Sequence, residues 1–174
     1  MATITSTVTS PLGFADSGQT GHVTTVAFAR PADVIAYAAE DVISDSASTA
    51  RAIKFHDAGR NGMIRGASLV TSDAQAATYT LLIFNSEPQN YVDNAAISLP
   101  AADAAKLMAV YQFSGSKGFG AFAWQAPAPS PLNPLPVQSY TTLDGSLYGL
   151  LVVNSVITPV SAATYTIKLN LEAL

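Results

Sequence analysis

No cysteine occurs among the 174 residues, which excludes disulfides, thiolate metal ligands and cysteine nucleophiles and leaves no trace of the redox compartment. Charge is scarce: 8 Lys+Arg and 12 Asp+Glu make 11% of the chain, against about 25% in an average soluble protein. The basic residues are scattered from Arg30 to Lys168 without a run. Neutralising several phosphates takes clustered cations, so no nucleic-acid partner is expected. Long hydrophobic runs are missing too. The most membrane-like stretch, Leu147 to Val153, falls far short of the roughly 20 apolar residues that a spanning helix needs, and no membrane partner is expected. The opening MATITSTVTS has no basic start followed by an apolar stretch, the first cation being Arg30, so a secretory leader is not expected and an aqueous compartment is. What the chain does have is apolar content, 49% with a net charge of −4, and that rules out a disordered acidic tail. Its length fits one domain. Ser, Thr, Asn and Gln solvate such a surface without charging it, and part of it is expected to face another protein.

The strongest segments alternate with period 2 or are short apolar runs rich in β-branched and aromatic residues, which marks strands. They are Ala50 to His56, Met63 to Thr71, Ala77 to Asn85, Lys106 to Phe113, Ser146 to Asn154 and Ala163 to Glu172. In the last, Tyr165, Ile167, Leu169 and Leu171 share one face and Thr166, Lys168, Asn170 and Glu172 the other. One dry face and one wet face predict an antiparallel sheet on a core. Breakers separate the strands, at 57–62, 85–89, 114–120 and 144–145. Only 100–109 offers a helix, of one turn or two. The fold class is therefore all-β: an antiparallel β-sandwich, jelly roll or barrel, without the βαβ units of Rossmann-type nucleotide sites.

Two regions do not read as core. Residues 1–33 are Thr/Ser-rich and punctuated by glycine, with extended pieces at 3–9 and 22–29. They read as an N-terminal arm whose Ile4, Val8, Phe14, Val23, Val26 and Phe28 dock on a neighbour or on the domain's own edge. The competing reading makes them the first strand of the sandwich. Residues 34–174 then form a single β domain, interrupted at 125–137 by QAPAPSPLNPLPV with five prolines. Proline fixes φ and removes a donor, so this segment reads as a stiff loop that cannot join a ladder. Trp124, Pro129, Leu132 and Leu135 are its candidate contact residues.

Reactive chemistry finds little support. His22 and His56 lie in different strands with only Asp57 adjacent, whereas catalytic zinc takes three protein ligands. Asp41 and Asp45 could share a calcium ion with loop carbonyls, but the alternating acids and glycine of a calcium loop are missing. No GxSxG occurs, and Gly66-Ala67-Ser68 lies inside a strand rather than on a nucleophile elbow. The loop 115–120 has glycines and Lys117 without Walker spacing. No enzyme, metal or cofactor is expected.

Taken together, AYAAEDVISD (36–45), GRNGMIRGASLVTSD (59–73), YTLLIFNSEP (79–88), VDNAAISL (92–99) and LYGLLVVNSVITPVSAATYTIKLNLE (147–172) give a chain that resembles head decoration, or cement, proteins of tailed bacteriophages over about residues 34–174. The resemblance implies a β-sandwich or barrel that associates as a homotrimer, with the major capsid protein as partner. It also implies a place on the capsid surface of the virion after synthesis in the host cytoplasm. Two other roles fit the same residues. One is a receptor- or glycan-binding module of a tail fibre, with Trp124, Tyr91 and Tyr140 as stacking platforms; the other is an accessory tail or neck component.

Overall fold

The computed structural model describes residues 5–9, 21–73, 77–114, 117–119, 121–125 and 137–173. In chain order the elements are β1 (Thr5–Thr9), β2 (Gly21–Ala29), β3 (Asp41–Ile43), β4 (Ile53–Phe55), β5 (Asn61–Thr71), β6 (Tyr79–Phe84), β7 (Ala95–Ala96), α1 (Ala101–Ala104), β8 (Leu107–Phe113), β9 (Lys117–Phe119), β10 (Phe122–Gln125), β11 (Gln138–Thr141), β12 (Leu147–Val153) and β13 (Thr164–Ala173). They form two antiparallel sheets, as an all-β sandwich requires. One runs β1-β2-β13-β5-β10-β9 with β11 also on β5; the other runs β7-β3-β12-β6-β8 with β4 also on β12.

The core lies between the sheets because alternation delivers one face of each to it. Val26, Phe28, Ile64, Leu69, Tyr165, Ile167 and Leu169 from the larger sheet pack with Ile43, Phe55, Leu81, Ile83, Tyr111, Phe113 and Leu151 from the smaller. Strand β12 is buried along its whole length. Its inward side joins that core, and its outward Tyr148, Leu150 and Val152 join a second cluster with Val42, Phe84 and Tyr91. Ile97, Leu99 and Leu107, from the connection after β6 and the start of β8, close over that cluster. A strand covered on both faces has no wet side to alternate with, which is why LYGLLVV is continuously apolar. Gly149 leaves room in it, since a Cβ there would stand 3.0 Å from the Phe55 ring.

Residues 21–29 correct the reading of an outlying arm. Strand β2 sits inside the larger sheet, between β1 and β13, in unbroken register with β13 from Gly21 opposite Glu172 to Ala29 opposite Thr164. Val26 is fully buried and Phe28 is 5% exposed, stacked on Tyr165 with ring centroids 5.7 Å apart. Both are core residues because β13 needs a partner on each edge, and this segment supplies one. Val23 is half-buried opposite Asn170. Val8 lies in β1 opposite Thr24; Ile4 and Phe14 fall outside the described residues.

Strands β10 and β11 are collinear on one edge of β5. Gln125 pairs with Leu69 and Gln138 with Ile64, so thirteen steps along the chain oppose five along β5, eight more than a continuous ladder takes. The proline-rich segment is thus an insertion into what is otherwise one edge strand. Pro129, Leu132 and Leu135 fall outside the described residues.

Candidate interaction surface

Strands β2, β5 and β12 end, and β6 and β13 begin, at one pole of the sandwich, as their registers show. Two loops meet there. The loop after β2 and the loop after β12 are joined by Tyr37 N donating to Ile157 O at 2.9 Å and Ile157 N to Tyr37 O at 3.3 Å. Arg30 N to Ala163 O at 3.0 Å and Ala162 N to Pro31 O at 3.3 Å extend the contact. This pairing brings exposed Val34, Ile35, Val156 and Val160 to the same end. Exposed Phe122 borders it, because the next residue, Ala123, lies opposite Thr71, the last residue of β5. Trp124 follows one step along the outer face, opposite Val70, and is 44% exposed. Six of the seven large exposed apolar side chains among the described residues therefore gather at or beside this pole; the seventh, Leu143, lies at the other.

A buried polar clamp holds the first loop. The Arg30 side chain is fully buried. Its Nε donates to the Tyr37 hydroxyl at 2.9 Å, one terminal nitrogen to Asp33 O at 2.6 Å, and the other to Asp33 Oδ1 at 2.7 Å and Asp93 Oδ2 at 3.4 Å. Tyr37 donates to Asp93 Oδ1 at 2.6 Å, and Ser44 N donates to the same oxygen at 2.9 Å. Asp33 Oδ1 also accepts Ile35 N at 3.1 Å. Burial alone would lower the Arg30 guanidinium; the hydrogen bonds to Tyr37 and Asp33 outweigh it and hold the group above its ordinary value. Burial and Asp93 push the Tyr37 hydroxyl up, so it stays a donor. Each of the three guanidinium nitrogens meets at least one acceptor, as a buried charge requires. The second loop has its own anchor, with Val160 N donating to fully buried Asp73 at 3.3 Å. The exposed apolar residues thus stand on backbone already fixed, and ordering them adds little cost on binding.

The chain matches no protein-family model, no curated protein and no solved structure.

The other candidates are dispersed. Tyr91 and Tyr140 are 6% and 3% exposed, which corrects their reading as stacking platforms. The Tyr91 hydroxyl donates to Ser98 O, the Tyr140 hydroxyl to Ala58 O, and neither shares a surface with Trp124. Asp41 accepts Ala38 N at 2.6 Å while Asp45 pairs with Arg51 at 2.7 Å, so the two acids serve separate partners. No group of three metal-ligating side chains gathers among the described residues, and no helix among them is long and apolar enough to cross a membrane. Gly66, Ala67 and Ser68 lie within β5. Sequence reasoning missed Val34, Ile35, Phe122, Val156 and Val160. A usable signal was present in apolar residues set beside prolines, PADVIA at 31–36 and VITPV at 156–160, where no strand period accounts for them.

Proposed function

We propose that this chain is a non-enzymatic structural protein that attaches to the outside of a phage capsid as a decoration or cement protein, using the Arg30 pole as its contact. The observation that carries this reading is the gathering of exposed Val34, Ile35, Val156 and Val160 on two preformed loops, with Asp33, the carboxylate beside them, tied to Arg30. Large apolar side chains exposed together at one end, rather than scattered singly, are characteristic of a protein-binding site. Its specificity comes from shape rather than from a reactive group. The resemblance to head decoration proteins supplies the partner, the major capsid protein, the homotrimeric state and the place on the virion. A tail-fibre glycan role has less support, because of its three aromatic platforms only Trp124 is exposed.

A protein that binds the intact shell and not the loosened one stabilises the shell by mass action. The test uses particles assembled without the protein and then saturated with wild type or with an Ile35→Asp, Val160→Asp double variant. Wild type should raise the temperature of DNA release, and the effect should survive added salt because few charges meet at the contact. The variant should fail to bind while keeping its β circular dichroism, since both positions are exposed. Equal occupancy by the variant would overturn the assignment of this pole.

A further inference from the structure

The opposite pole carries an open groove of about 630 Å³ between the turn after β4 and the turn before β12, a volume in the range of small-ligand sites. Gly59 N donates to Gly145 O at 3.2 Å and Thr142 N to Arg60 O at 2.8 Å, which ties the two turns into one preformed floor. Gly59 and Gly145 have φ of 83° and 75°, and a Cβ at Gly145 would meet nothing within 4 Å, so backbone lines that part of the groove and leaves it open.

The polar groups along the groove divide into spent and unspent. Asp144 is spent: Oδ1 accepts Ser146 N at 3.0 Å, and Oδ2 accepts the Tyr148 hydroxyl at 2.8 Å and Lys54 Nζ at 3.3 Å. The Tyr148 hydrogen bond, with the Ser146 amide and Lys54, holds its carboxyl below the usual range. Lys54 gives one of its three donors to Asp144, and its ammonium also stands 5.3 Å from the centre of the Tyr148 ring. Arg60 gives none. Neither Arg60 nor Lys168 forms an ion pair with a described residue, and Arg60 lines the groove. The His56 ring and the Asp57 carboxylate complete the unspent set; Asp57 contributes only its carbonyl, which meets the His22 ring at 3.0 Å.

Arg60 and Lys54 offer the forked and point-charge donors that hold an oxyanion. Asp57 is an acceptor that would repel a bare compact anion and would take hydrogen bonds from hydroxyl groups. The geometry points to a site for an acidic sugar unit, its carboxylate, sulfate or phosphate on Arg60 and Lys54 and its ring hydroxyls on Asp57 and the His56 ring. The site is independent of the capsid contact and can be tested on the isolated protein.

The experiment is a titration of the full-length ¹⁵N-labelled protein, at constant ionic strength, with sodium glucuronate, inorganic phosphate and glucose in separate arms. Glucuronate should give saturable shifts at the Gly59, Gly145 and Ser146 amides, phosphate weaker ones and glucose none. Arg60→Ala should weaken glucuronate at least tenfold, Lys168→Ala should leave it unchanged, and Asp57→Asn should narrow the gap between glucuronate and phosphate. Absence of saturation, or an equal loss in Lys168→Ala, would overturn the site. Phosphate binding as tightly as glucuronate would overturn the sugar.

Discussion

Phe28 shows how much one side chain decides. It is 5% exposed and stacked on Tyr165, whose own ring meets Tyr79 edge-on at 6.0 Å. A carboxylate at that place would be unpaired among aromatic rings, at a cost of several kcal/mol and so a large share of the stability of a domain this size. Phe28→Asp should therefore abolish the β circular dichroism signal rather than merely weaken a binding contact. Asp103 sets an acid limit. Its carboxyl accepts Lys106 Nζ at 2.7 Å and Gln89 N at 2.8 Å, and these hold it below the ordinary carboxylate range. A carboxyl lowered on folding gives stability that is full above its unfolded pKa of about 3.9 and lost as the pH falls through the folded value. Asp33 and Asp144 are lowered as well. Urea melts at pH 7 and pH 3 should show a smaller drop in midpoint for Asp103→Asn than for wild type.

At the scale of elements, legibility followed the regularity of burial, on one face or on both. Strands β5, β6, β8, β12 and β13 fall within or close to the predicted segments because alternation or a full apolar run marks them, and the helix is the single turn α1 after Pro100. Strand β2 is legible as an extended piece at 22–29 but not as an inner strand of the sandwich, because one of its inward positions is polar: Thr24 is fully buried, its hydroxyl bonded to His56 O at 3.2 Å, which blurs the period in HVTTVAFA. Strands β3 and β7 hold three and two residues, too few for any period. The pole with the exposed apolar side chains was illegible for another reason. Loops carry no period, and Ile35 and Val156 come to the same end only through the bridge between Tyr37 and Ile157. The β10–β11 insertion makes its own prediction. Replacing the eleven residues 126–136 by three threonines restores the five steps that β5 presents between Leu69 and Ile64. The variant should fold with a melting temperature equal to or above wild type, because a shorter connection has less entropy to lose on closing.

The whole molecule is bipolar, and its lack of cysteine makes that polarity measurable. A single cysteine in place of Val156, which is 76% exposed at the Arg30 pole, should react with a maleimide in the free protein and be shielded on the particle. One in place of Leu143, 81% exposed at the other pole, should react equally in both states. Protection of both sites, or of neither, would contradict attachment by one end. The position of β13 between β2 and β5 also has a consequence for synthesis. A ribosome adding about 5–20 residues per second makes β5 about 5 to 20 seconds before the strand that must join it to β2. Throughout that interval the nascent chain carries two apolar strands with open edges, the form most prone to wrong pairing. Ribosomes stalled before Thr164 should therefore hold chains that trap chaperones and succumb to protease, and those stalled far enough beyond Ala173 for β13 to clear the exit tunnel should not.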